Sequence, residues 1–175
     1  MTDIYRVNFG IAISEFAEWR FSAEDNVRPS WRKPMIDLRT AAYGAFVLRL
    51  TLGLAALSHG LTKLLVFTPA GTVGFFGSLG YPAWLAWAVM LVEILGGVAL
   101  LVGYYARIVA LVQVPILLGA VMVHLPNGWM FASPNGGWEY PLFWAAALLT
   151  LALVGPGAFA LRDLESGTVI SPRLA

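Results

Sequence analysis

Residues 41–67 read AAYGAFVLRLTLGLAALSHGLTKLLVF, an apolar run whose basic groups are Arg49, His59 and Lys63 and which has no acidic group. About 20 apolar residues suffice for a helix to cross the hydrocarbon of a bilayer. Ionisable side chains are costly in that medium and face the interior of a bundle rather than lipid. At 100° per residue, Arg49, Gly53, Ala56, His59, Gly60 and Lys63 fall within roughly one third of the helix circumference. The charged groups thus share a stripe with the small residues that let helices approach closely. Lys63 has a second option, since a lysine near a helix end can stretch to the interface.

The rest of the chain agrees with a membrane setting. Of 175 residues, 59% are hydrophobic and 12% charged, about half the charged fraction of a soluble domain. Three further apolar segments follow: Ala83–Gly103, Ile108–Leu125 with Pro115 inside it, and a shorter one from Pro141 that weakens at Gly155-Pro156-Gly157. The expected fold is therefore all-α: a polytopic membrane protein with a four-helix transmembrane bundle. Six of the 11 Lys and Arg precede residue 40. Arg107, Arg162 and Arg173 join them on one side if the spans alternate. Basic residues stay cytoplasmic, so both termini are expected inside. Tyr81, Trp84, Trp129, Trp138, Tyr140 and Trp144 would form the opposite interfacial belt.

Cysteine is absent, which excludes disulfides and thiolate chemistry. The first residues, MTDIYRVNFGIAISEF, lack the basic-then-apolar pattern of a cleavable signal. Residues 1–40 are expected to hold an imperfectly amphipathic interfacial segment, with Tyr5, Phe9, Ala12, Phe16 and Trp19 at helical spacing, followed by a Pro-containing tether. That segment is also the candidate docking element for other membrane subunits. Residues 41–163 would form the membrane domain and 164–175 a cytoplasmic tail. The apolar stretch Thr68–Pro82, with Gly71, Gly74, Gly77 and Gly80 in it, is expected to lie as a short helix or lid over the bundle.

Glu93 lies on the second span, and counting rise from the inner end puts it near the depth of Arg49. An Arg49–Glu93 pair is the expected way to neutralise both. On the third span Gln113, Leu117, Ala120 and His124 share one stripe, with His124 at about the depth of His59. His59, Lys63, His124 and Glu139 are the candidate catalytic set, with Glu139 offsetting the charge of Lys63. Two histidines on two helices also raise bis-histidine haem, which is not expected here, nor is any other metal site.

The motifs LRLTLGLAALSHGLTKLL, GFFGSLGYP, LVEILGGVALLVGYYAR, VHLPNGW and GGWEYPL resemble, in order and spacing, the DoxX family of bacterial inner-membrane proteins. The resemblance spans about residues 43–163. It implies four helices and work near quinone or in redox and sulfur metabolism, as in the related DoxD subunit of thiosulfate:quinone oxidoreductase. By position it implicates Arg49, His59, Lys63, Glu93, Arg107, His124, Asn127 and Glu139. A quinone is thus the expected cofactor, with Arg49, Glu93, Gln113 and Asn127 as further binding residues and a redox-active partner as electron donor. Two other functions stay open: a non-catalytic anchor subunit of a larger complex, and a small-molecule transporter. Expected partners are the lipid bilayer, other membrane subunits through residues 1–40 and a second copy of the chain, but no nucleic acid.

Overall fold

The computed structural model describes residues 37–161. Helix α1 covers Leu38–Leu61 and passes without a break into a π-helical turn, Thr62–Val66. Then come α2 (Thr68–Ser78), α3 (Ala83–Val102), α4 (Ala106–His124), a short 3-10 turn at Leu125–Asn127, and α5 (Glu139–Val154). The interfacial segment expected within residues 1–40 lies outside the described residues up to 36, as does the tail 164–175.

Helices α1, α3, α4 and α5 close a four-helix bundle in which α1 touches α3 and α5, and α4 touches the same two. Neighbouring helices run in opposite directions. Gly60 meets Glu93 and Ile94, whereas Gly53 meets Gly97 and Leu101. Glycine is needed along this seam. A Cβ on Gly60 would sit 2.6 Å from Ile94 Cγ1, and one on Gly97 would sit 2.6 Å from the Leu57 backbone nitrogen. Small residues allow this approach where lipid supplies no hydrophobic drive between helices.

The buried centre is Leu52, Ala56, Leu100, Ala110, Val114, Leu117, Trp144, Leu148 and Leu151. Outside it the bundle is inverted relative to a soluble protein. Leu54, Leu95, Met122, Phe143 and Leu153 are all more than half exposed, and such large apolar faces call for lipid. Three helical stretches, Arg39–Val66, Ala83–Val102 and Ala106–Asn127, are long and apolar enough to span a membrane; Glu139–Val154 is apolar but shorter. At 1.5 Å per residue it reaches about 24 Å.

Tight chain reversals join the helices. α3 ends at Gly103, whose φ of 73° is left-handed, and the Tyr104 N–H reaches back to the Ala99 carbonyl; only glycine enters that conformation at little cost. Between the π turn and α2, Thr68 takes a φ of 62°. Its hydroxyl accepts the Gly71 N–H.

The arginines of the bundle correct one expectation. Arg49 does not pair with Glu93. It is fully buried and donates to four backbone carbonyls: Nη1 to Leu100 (2.7 Å) and Leu101 (3.0 Å), Nε to Pro156 (2.8 Å) and Nη2 to Ala158 (3.0 Å). Its guanidinium also lies over Phe46, 5.2 Å from the ring centre. The carbonyls of Leu100 and Leu101 end α3, at the negative end of its dipole, and those of Pro156 and Ala158 lie in the irregular segment after α5, so the charge needs no carboxylate. Counting depth along single helices misplaced the two groups. In the bundle Arg49 is level with Leu100, seven residues or about 10 Å along α3 from Glu93. Arg107 caps α5 likewise, donating to the carbonyls of Ala152 (2.8 Å) and Leu153 (3.1 Å).

Candidate functional site

Lys63 is where the sequence leaves a regular helix. Its π turn is closed by the Phe67 N–H on the Thr62 carbonyl, while the buried Thr72 of α2 donates its hydroxyl to the Lys63 carbonyl at 3.0 Å. Such widened turns recur at functional sites. The Lys63 side chain crosses to α3, where Nζ lies 2.8 Å from both Glu93 carboxylate oxygens. The Glu93 side chain is 8% exposed and that of Lys63 21%. Lys63 is thus turned inward and paired, not stretched to the interface. Gly60 makes this possible by letting the Glu93 Cβ come close to α1.

This ion pair borders a cavity of about 410 Å³. Its wall includes His59, Lys63 and Glu93, with Pro115, Gly119, Ala120 and His124 from α4 and Tyr140 and Trp144 from α5. Phe75 and Phe76 of α2 and Leu79 and Tyr81 after it join the lining, so the glycine-rich segment does lie over this part of the bundle as a short helix. His59 stacks with Tyr140 (ring centres 6.1 Å apart, planes at 22°) and meets Trp144 edge-on at 5.0 Å. Pro115 cannot supply an N–H to the preceding turn of α4, which loosens the helix where it borders the cavity.

His124 ends α4 and turns Nδ1 toward the Gly136 carbonyl, 3.1 Å away. Asn127 stands behind it, its Nδ2 donating to the carbonyls of Gly136 (2.8 Å) and Asn135 (3.2 Å). The loop between α4 and α5 is thereby folded onto the histidine.

The structure gathers His59, Lys63, Glu93 and His124 around one space. It places four other expected residues elsewhere. Arg49 is among the carbonyls described above, and Asn127 braces the loop. Glu139 begins α5 and accepts the Phe131 N–H on Oε2 at 3.1 Å; the carboxylate that offsets Lys63 is Glu93. Gln113 is buried between α4 and α3, its Nε2 2.5 Å from the position a Cβ on Gly96 would take. Its amide atoms have no partner among the described residues, and neither does Trp144 Nε1. Among the described residues no cluster of three or more His, Asp or Glu could hold a metal.

Sequence reasoning did not single out Thr72 or Pro115, nor Trp144 and Tyr140 as more than interfacial aromatics. The first acts through a contact nine residues away in the chain, which no periodicity reveals. The aromatics carried a signal in the pairing of Tyr140 with Trp144 one helical turn on.

Comparison with known proteins bears on this arrangement. The DoxX family matches residues 44–125, a range that holds His59, Lys63, Glu93 and His124. A Bacillus subtilis (strain 168) protein named "Putative oxidoreductase CatD" is 33% identical over 119 residues, 67% of this chain and 84% of the relative. No solved structure matches the chain. With the helical membrane bundle and these similarities together, the chain belongs to the DoxX family.

Proposed function

We propose that the protein is a multi-pass subunit of the bacterial inner membrane, both termini inward, that binds a quinone in this cavity as part of a quinone-linked oxidoreductase. The observation that carries the reading is a mainly apolar, aromatic-lined cavity with an ion pair and two histidines on its wall. Ligand sites combine apolar walls with a few converging polar groups in this way. The relative's name, with oxidoreductase in it, supports the same class of activity. The residues fit a quinone: aromatic side chains suit a flat ring, Lys63 can donate to a ring oxygen, and lipid-facing helices admit an isoprenoid tail. When bound, a quinone supplies a carrier of two electrons and two protons.

Within this reading Lys63 orients the ring, and Glu93 keeps the ammonium on the cavity side. His59 and His124 offer the ligand ring nitrogens that can donate or accept a hydrogen bond. Phe75, Phe76 and Leu79 keep water from the ring. Electrons would come from a partner subunit, since the chain has no cysteine to act as a dithiol.

A short-tailed quinone bearing a photoreactive group tests the proposal. It is expected to label residues 75–81 or 115–124, and excess unlabelled quinone should suppress the labelling. Uncompeted labelling confined to lipid-facing positions such as Leu95 and Phe143 would overturn it.

A further inference from the structure

The hydrogen bonds around His124 fix more than its position. Gly136 O can only accept, and it lies 3.1 Å from His124 Nδ1. Asn127 Nδ2 is near both groups, 2.8 Å from Gly136 O and 3.3 Å from His124 Nδ1. An amide nitrogen carries two protons. Here they have two carbonyl acceptors, Gly136 O and Asn135 O at 3.2 Å. Flipping the amide would set its oxygen against both carbonyls. The proton between His124 and Gly136 must therefore be the histidine's own. If Nδ1 were bare, its lone pair would face a carbonyl lone pair. In the neutral ring His124 is thus held as the Nδ1–H tautomer, and Nε2 is then a hydrogen-bond acceptor.

Nε2 has no partner among the described residues, and His124 lines the cavity although its Nδ1 edge is turned to the loop. Lys63 supplies the opposite character from another wall, since an ammonium can only donate. With Nδ1 turned to the loop, Nε2 is the ring nitrogen His124 can offer a ligand, so the wall carries a donor at Lys63 and an acceptor at neutral His124.

From this we infer that the site selects the reduced, hydroquinone form of its ligand over the quinone, with Asn127 as the positioning residue that sets the preference. One hydroxyl oxygen of a hydroquinone accepts from Lys63 while the other hydroxyl donates to His124 Nε2. A quinone carbonyl has no proton to offer and leaves Nε2 facing an oxygen lone pair. The inference rests on the quinone-binding reading of the cavity. It differs from that reading in predicting which redox form is held.

The test uses the purified full chain in nanodiscs under argon, with a decyl-tailed benzohydroquinone and the matching benzoquinone as probes, binding followed by calorimetry. The hydroquinone should bind about tenfold tighter, the size expected for one unmatched buried hydrogen-bonding group. His124→Phe should remove the preference by weakening hydroquinone binding about tenfold. Asn127→Leu should narrow it, and serves if the first variant does not fold. Nitrogen NMR of histidine-labelled protein reads the tautomer directly. The chain has two histidines, so His124→Gln assigns the signals. A bare Nε2 at neutral pH, together with the hydroquinone preference, supports the inference. Equal affinities, tighter quinone binding or a protonated Nε2 overturn it while the quinone-binding reading stands. If neither probe binds, both fall.

Discussion

Arg49→Met is expected to destabilise the bundle by about 3–5 kcal/mol. The substitution keeps an unbranched apolar stem and removes every donor. Four carbonyls, of Leu100, Leu101, Pro156 and Ala158, lose a charged partner at once. Each such bond contributes roughly 1.5–3 kcal/mol, and the sum is discounted because water can reach a helix end. Arg49 also ties the C-terminus of α3 to the segment after α5, so its loss frees two elements rather than one. Arg49→Lys should recover less than half of the loss, because an ammonium is a single point of charge and cannot span four acceptors. Reversible unfolding in mixed detergent and SDS measures both variants. A loss below about 1 kcal/mol for Arg49→Met would mean that the carbonyls find water without strain.

The second large effect falls on the ion pair. Lys63→Met strands the Glu93 carboxylate, whose side chain is 8% exposed, and is expected to cost about 3–4 kcal/mol. Glu93→Leu strands the more accessible Lys63, which can turn toward the interface, and should cost about 2 kcal/mol. The double variant Lys63→Met with Glu93→Leu is expected to come back to within about 1 kcal/mol of the parent, since a well-packed apolar pair replaces two desolvated charges. It should nevertheless bind quinone poorly, having lost the donor. A double-mutant cycle under the same SDS titration checks the coupling. Additive losses would show that the two groups do not depend on each other.

These residues also mark how far the sequence could be read. The helices were legible because apolar runs of spanning length stand out from the turns around Tyr81-Pro82 and Gly103-Tyr104. Expected and observed boundaries agree within a few residues for α3, α4 and α5. The inward stripe of residues 49–63 was legible as well: Gly53 and Gly60 meet α3, Ala56 is buried and Lys63 lines the cavity. The partnership of its charges was not. A carboxylate is visible in a sequence as a partner for arginine, whereas a set of backbone carbonyls at helix ends is not. Arg49 was for that reason matched to Glu93. Lys63 reaches Glu93 through a π turn and a threonine from the following helix, and neither leaves a periodic trace. Likewise Glu139 and Asn127 sit in the right stretch of chain, but the loop between α4 and α5 turns them to its own backbone. For the cavity, sequence supplied the polar groups and the covering segment α2; the part that Pro115 and Trp144 play in its wall came only with the packing.

Filling the cavity tests the claim that it holds a quinone most directly. Gly119 lies on its wall, and a Cβ there would meet nothing within 4 Å. Gly119→Leu thus extends a side chain into open space and should stabilise α4 slightly, by up to about 1 kcal/mol from helix propensity. The measurement is the quinone content of organic extracts from protein isolated in its native lipid by polymer nanodiscs. The parent protein should carry close to one quinone per chain above the level of the surrounding lipid. Gly119→Leu, equally stable and equally abundant, should carry none above that level. Equal quinone content in the two proteins would contradict binding in this cavity.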